Sequence, residues 1–167
     1  MTPTRRSLMA IAGALLATGL HAQTYPTKPI KVIVPFPPGG GTDIIAREVT
    51  QKVTTATGWV FVVENKAGVG GNLGIDTVAK SPADGYTIGL GQTSNLAINP
   101  TLHAKMPYDA VKDLAPIVTV ASAALTLVTS SQSPFKTLGD VVSAAKAKPG
   151  VINYASSGNG TVAHLTA

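Results

Sequence analysis

The residues best suited to chemistry are those of Pro37-Pro38-Gly39-Gly40-Gly41-Thr42-Asp43, which close an apolar run and lead straight into Ile44-Ile45-Ala46-Arg47-Glu48-Val49. Glycines leave backbone N–H groups unscreened by Cβ. A helix starting at that point offers its unsatisfied N–H groups and the positive end of its dipole. Both attract an anion. The bland alternative is a simple helix start, with Thr42 or Asp43 as N-cap. Asp43 would itself repel a bound anion, so capping, or pairing with a ligand amino group, suits it better.

Other candidates are weaker. Gly68-Val69-Gly70-Gly71-Asn72-Leu73 has the outline of a dinucleotide-binding turn, but Leu73 stands where the G-x-G-x-x-G pattern needs glycine. Ser156 and Ser157 lie near His164, yet neither serine is flanked by glycines at minus two and plus two, so there is no nucleophile elbow. His164 follows Thr161 by three, on one helical face, where it reaches a ligand or packs against its own domain. The chain has no cysteine, and His103 and His164 are far apart, so no metal ligand set is visible. No cofactor is expected.

The elements that must position these residues read as alternating strands and helices. Ile30 to Val34 is an apolar, β-branched strand stopped by prolines. The following helix carries Ile45, Val49 and Val53 as one apolar stripe, places Glu48 and Lys52 one turn apart, and ends at Gly58. Trp59 to Val63 is a second strand, with Trp59 expected in the core. Leu73 to Lys80 is a short helix, and Tyr86 to Leu90 a third strand running into Gly91-Gln92-Thr93-Ser94-Asn95. Strands separated by helices predict a parallel sheet in an α/β domain. Such sheets bind ligands beyond the carboxyl ends of their strands, where all three polar turns lie.

Asn99 to Asp113 reads as loop-rich, with Met106-Pro107-Tyr108-Asp109 a turn into a short helix. Ile117 to Ser130 reads as two strands meeting at residues 121–124 and crossing into a second domain. A helix over Leu138 to Lys146 and a strand over Val151 to Ala155 follow. The chain then reaches Ser156-Ser157-Gly158-Asn159-Gly160-Thr161, again a strand–turn–helix pattern.

Composition narrows the function classes. The net charge of +5 owes two charges to Arg5 and Arg6, and only 13% of residues are charged. No basic stripe with interleaved aromatics exists, which argues against nucleic-acid binding. Residues 1–22 read as an export signal: Arg5-Arg6, the apolar run Leu8 to Leu20, then Leu20-His21-Ala22 before the cut. A retained anchor or buried helix is the alternative reading, and Thr4-Arg5-Arg6-Ser7-Leu8 leaves Sec and twin-arginine export both open.

Taken together, the motifs carry a family resemblance. Lys28-Pro29-Ile30 through Pro38-Gly39-Gly40-Gly41-Thr42-Asp43 resembles the start of the Bug-type (Bordetella uptake gene) extracytoplasmic solute receptors, the substrate-binding components of tripartite tricarboxylate transporters. Glu64-Asn65-Lys66 with Gly70-Gly71-Asn72, Pro82-Ala83-Asp84-Gly85-Tyr86-Thr87, and Asn99-Pro100 with Pro107-Tyr108-Asp109 are similar to the same family in the same order. So are Pro134-Phe135-Lys136-Thr137-Leu138, Pro149-Gly150, Asn153-Tyr154-Ala155-Ser156-Ser157-Gly158 and His164-Leu165. Ala67 stands where the family often has proline, and Val69 where alanine is usual.

The resemblance implies an α/β, two-lobed periplasmic-binding-protein (type II) fold. Its first lobe would be a parallel-rich sheet flanked by helices over residues 23–121, and its second lobe, starting at 122–167, would be incomplete. It implies a periplasmic receptor that closes on a small organic carboxylate, hands it to the membrane subunits of a tripartite tricarboxylate transporter, and is a monomer when complete. In such receptors the turns matching Gly39, Gly40, Gly41, Thr42 and Asp43, and Gly70, Gly71 and Asn72, hold the carboxylate through backbone N–H groups and ordered water. Positions matching Thr93, Ser94, Ser157, Gly158, Thr161 and His164 approach from the other sides. Members of the family continue well past the position matching Ala167, so a truncated, non-functional fragment is a second reading. An α/β enzyme such as an esterase or dehydrogenase, using the same crevice without a triad, metal set or full fingerprint, is a third. Export is checked by mass spectrometry of periplasmic protein. Gln23 is expected as the first residue, and an intact Met1 terminus in the soluble fraction would rule cleavage out.

Overall fold

The computed structural model describes residues 25–167. The expected signal segment 1–22 lies outside the described residues. The elements are β1 (Ile30–Val34), α1 (Gly41–Thr57), β2 (Phe61–Asn65), α2 (Asn72–Ala79), β3 (Thr87–Gly89), α3 (Asn99–Leu102), α4 (Leu138–Ala147) and α5 (Val162–Leu165). A tight 3-10 turn, Val69–Gly71, precedes α2, and a wide π-type turn, Ser94–Ile98, runs into α3.

The three strands form one parallel sheet in the order β2-β1-β3. In register, Ile30 faces Phe61 and Val34 faces Asn65 on one side of β1, and Lys31 faces Thr87 on the other. β1 is therefore central, and it is the only strand buried along nearly its whole length: Ile30, Val32, Ile33 and Val34 are buried and only Lys31 is exposed. A strand covered on both faces reads as a near-continuous apolar run, as Ile30-Lys31-Val32-Ile33-Val34 does with Lys31 its one break. The chain leaves β1 for β2 on one side, then crosses to β3 on the other. With right-handed crossovers this puts α1 and α2 on opposite faces of the sheet. Ala46 of α1 and Ile75 of α2 are buried, and Tyr108 completes the buried core.

The strand order reverses beside β1. In an open parallel sheet that is where loops separate and a crevice opens. The ladder continues past the strands, with Lys66 N–H donating to the Val34 carbonyl at 2.8 Å and Leu90 N–H to the Ile33 carbonyl at 3.0 Å. All three turns thus leave the sheet at one end. At the opposite end Tyr25 packs edge-on to Trp59, with centroids 5.7 Å apart, and its hydroxyl donates to the Gly85 carbonyl at 2.7 Å.

Several expectations need correction. Trp59 is half-buried against Tyr25 rather than in the core, because β2 begins two residues later, at Phe61. Glu48 and Lys52 form no ion pair, and both side chains stay solvated on the outer face of α1. The segment Asn99–Asp113 is loop-rich as expected, though it opens on helical turns that run from Ser94 to Leu102. Beyond it, Asp109 closes a turn by accepting from Val111 and Lys112 N–H, without a helix.

Neither Ile117–Ser130 nor Val151–Ala155 is a strand. Their β-branched pattern suits one, but a strand exists only when a neighbouring backbone takes up its N–H and C=O groups, and none lies alongside among the described residues. Ile117, Val118 and Val128 are accordingly exposed. α4 does form, from a capping box in which Thr137 Oγ1 accepts from Asp140 N–H and the Asp140 carboxylate accepts from Thr137 N–H. None of its residues is buried.

This distribution of burial makes a direct test. Ile33→Ala, at a fully buried site on the central strand, should cost about 2–5 kcal/mol in urea unfolding. Ile117→Ala, at a side chain 76% exposed, should stay within about 0.5 kcal/mol of the parent.

Candidate functional site

The first glycine turn is held by a buried carboxylate. Asp43 is 3% exposed. Its Oδ2 accepts from Gly39 N–H at 2.9 Å and from Arg47 Nε at 3.0 Å, while Oδ1 accepts from Arg47 Nε at 3.0 Å and Asn65 Nδ2 at 2.9 Å. Asn65 also donates to the Phe36 carbonyl at 3.0 Å, and Arg47 reaches Asn65 Oδ1 at 3.1 Å. One carboxylate thereby ties the turn, the first turns of α1 and the end of β2 together. The hydrogen bond from Arg47, then those from Gly39 and Asn65, hold its carboxyl well below the usual carboxylate range.

With Asp43 occupied in this way, the helix start above it stays open. Gly40 is the N-cap of α1 and supplies no side-chain cap. The N–H groups of Gly41 and Thr42 have no intrahelical acceptor by geometry, and the 17-residue helix adds its dipole. Thr42 Oγ1 accepts from Gln92 Nε2, which joins the first turn to the third.

The second turn is left-handed throughout. Val69 has φ +49°, followed by Gly70 at +62° and Gly71 at +92°. Glycine takes this conformation freely, whereas a β-branched valine does so only under constraint from its surroundings. Against the two glycines lies a cluster of buried amides. Asn72 Oδ1 accepts from Asn99 Nδ2 at 2.8 Å, and the Tyr108 hydroxyl donates to the Asn95 carbonyl at 2.6 Å while lying 3.1 Å from Asn72 Oδ1. Asn95 Oδ1 accepts from Gln92 N–H at 2.8 Å. Burial, and then the charge of Asp76, push the Tyr108 hydroxyl up to about 12, so it remains a donor at any ordinary pH.

The Ser157–Thr161 turn comes to the same place. Val162 N–H donates to Ser94 Oγ at 3.3 Å, and Thr161, 2% exposed, caps α5 by accepting from His164 N–H at 3.3 Å. His164 Nδ1 accepts from Gly160 N–H at 3.4 Å, and its ring stacks on Tyr154.

The structure therefore brings Thr42, Gly70, Gly71, Asn72, Ser94, Thr161 and His164 into one connected set with Gln92, Asn95 and Asn99. Gly39, Gly40 and Gly41 stand exposed at the mouth of the first turn, and Thr93, Ser157 and Gly158 lie at the edges of the other two. Asn65, Arg47, Gln92, Asn95, Asn99 and Tyr108 were not singled out from the sequence as site residues. The one local signal was the spacing of Asn95 and Asn99, one helical turn apart. Shallow hollows elsewhere, beside Lys52 and Thr55 on α1 and between Thr54 and Phe61, carry no converging polar turns. Among the described residues no group of His, Cys, Asp or Glu could hold a metal ion, and no helix is long and apolar enough to cross a membrane.

Comparison with known proteins agrees with this architecture. Residues 45–167 match the family described as "Tripartite tricarboxylate transporter family receptor". The chain is 40% identical over 164 residues to Protein BugT of Bordetella pertussis, covering 95% of this chain and 50% of that protein. It thus spans about half the length of the curated relatives it matches. The structure "R. palustris Rpa4515 with adipate" superposes with a TM-score of 0.80 at 33% identity, over 85% of this chain and 48% of that one. MatC from Rhodopseudomonas palustris with bound malate gives 0.51 at 34% identity, over 53% and 29%.

The role of Asp43 is open to an acid titration. Its folded pKa is depressed, so its contribution to stability is complete above the unfolded value of 3.8 and is lost as pH falls through the folded value. Asp43→Asn should lower Tm by a constant amount from neutral pH down to about 5, and the gap to the parent should narrow below about pH 4. A gap that does not change with pH would mean the carboxylate charge is not what holds the turn.

Proposed function

The chain belongs to the tripartite tricarboxylate transporter receptor family, and from that premise we propose that it captures a small organic carboxylate at the open start of α1. The observation that carries the reading is the uncapped helix N-terminus at Gly40, linked through Thr42, Gln92 and Asn95 to the left-handed turn at Gly70 and Gly71. A carboxylate is the anion that fits such a place. It is planar, carries one charge over two oxygens, and takes short bonds from main-chain donors that cost nothing to reorganise. In this reading the part of Asp43 in the site is to shape the turn rather than to grip the carboxylate directly. Because Arg47 pairs with the Asp43 charge while Asn65 and Gly39 satisfy its oxygens, its repulsion of an anion nearby is weakened.

In this reading Gly39, Gly40, Gly41 and Thr42 with Gly70, Gly71 and Asn72 take the carboxylate. Thr93, Ser94, Ser157, Gly158, Thr161 and His164 approach the rest of the ligand. Residues 23–121 form the first lobe and 122–167 open the second. The adipate- and malate-bound neighbours support a carboxylate of this size. The protein would work in the periplasm after removal of residues 1–22, as a monomer that delivers its ligand to the membrane subunits of a tripartite tricarboxylate transporter.

The test is calorimetric titration with adipate, malate and citrate, beside the variant Gly41→Pro. Proline is well tolerated at the first helical position, the preceding Gly40 is already extended at φ −75° and ψ 163°, and nothing lies within 4 Å of a Cβ on Gly41. The variant therefore deletes one N–H with little disturbance. Affinity should fall roughly tenfold to a hundredfold while Tm moves little. No binding of any of the three acids to the parent would overturn the carboxylate reading. Undiminished binding by the folded variant would place the site elsewhere.

A further inference from the structure

We propose that Asn99 is the positioning residue of this site, a buried amide spacer that sets the distance between the Gly70–Asn72 turn and the Ser157–Thr161 turn. The proposal rests on the carboxylate reading only in naming what bridges the two turns.

Asn99 is fully buried, yet its side chain is polar at both ends. Its Nδ2 donates to Asn72 Oδ1 at 2.8 Å and lies 3.2 Å from where a Cβ on Gly70 would be. Its Oδ1 occupies the space that a Cβ on Gly160 would need, and accepts no hydrogen bond. Gly160 is left-handed, at φ +76°, and the Asn159 carbonyl oxygen sits 2.8 Å from the Cβ position of Gly70. One planar amide is thus wedged between two backbones that approach closely only because each has a glycine there. Asn95, four residues earlier, backs Gly71 in the same manner, with Nδ2 2.6 Å from the Cβ position.

A leucine of similar size would fill the space without burying an unpartnered oxygen, which is costly. What the amide adds is its bond to Asn72, which locks its rotation and hence the face it presents to Gly160. The separation of the two turns then follows from a rigid side chain rather than from loop flexibility. That separation decides which diacid can touch both turns at once, because a site held tightly discriminates by length and a loosened one does not.

The variants are Asn99→Ala, Gly160→Ala and the double variant, with Asn99→Asp as the isosteric change that removes the donor to Asn72. Two readouts are taken on the chain: amide exchange by NMR, and calorimetric affinities for succinate, glutarate and adipate. In Asn99→Ala the Gly71 and Val162 amides should exchange at least about tenfold faster while the β1 amides are unchanged. The preference among the three diacids should flatten. Gly160→Ala should perturb the parent more than it perturbs Asn99→Ala, since its methyl then has room. Should Asn99→Ala not fold, Asn99→Asp is expected to give the same local exchange pattern.

Equal acceleration of turn and β1 amides would mean a general structural role and overturn the proposal. So would an unchanged order of diacid preference, or strict additivity of the two alanines. If the parent binds none of the diacids, the carboxylate reading fails while the exchange and additivity measurements still decide the role of Asn99.

Discussion

The first glycine turn at the carboxyl end of the sheet depends on the buried Asp43 carboxylate and the donors gathered on it. A carboxylate taken out of water is tolerated only when its oxygens are fully hydrogen-bonded and its charge is compensated. Gly39, Arg47 and Asn65 meet that demand, and in doing so they bind the turn, the helix and the neighbouring strand to one point. Because the fold uses Asp43 in this way, the start of α1 is left uncapped. The N–H groups that a local cap would have consumed remain available to a ligand.

The other turns are built on a different principle. Beneath Gly70 and Gly71 lie neutral amides and one phenol, which exchange hydrogen bonds without carrying charge. A charged group there would compete with the proposed anion or attract it to the wrong place, whereas amides bring no charge. Gln92 connects this cluster to Thr42, so the two glycine turns belong to one hydrogen-bonded unit. The Ser94 hydroxyl extends that unit to the residues after Gly160.

Burial is uneven along the chain in a way that fits this picture. The apolar core is made by β1 with Ala46, Ile75 and Tyr108, and α4 contributes nothing to it. The chain spans about half the length of its curated relatives, and its exposed apolar residues concentrate after Val111. The proposed site sits where the well-buried first part of the chain meets the Ser157–Thr161 turn.

The sequence by itself determined the elements whose signals are local. The run Ile30–Val34, the stripe Ile45, Val49 and Val53, the stop at Gly58, the helix from Leu138 and the parallel α/β arrangement could all be read from residue type and period, because each depends on neighbours within a turn or two. The glycine turns were legible for the same reason, and their gathering at one end followed from the rule for parallel sheets. Only the tertiary structure decided what those turns rest on. The pairing of Asp43 with Asn65, of Thr42 with Gln92, and the wedging of Asn99 between Gly70 and Gly160 join residues from 22 to 61 positions apart, and no local pattern encodes them. It decided too that Ile117–Ser130 is irregular chain rather than strand. The β-branched residues are a property of the segment, but a strand is a property of the segment and a partner, and the partner is a fact of three-dimensional proximity alone.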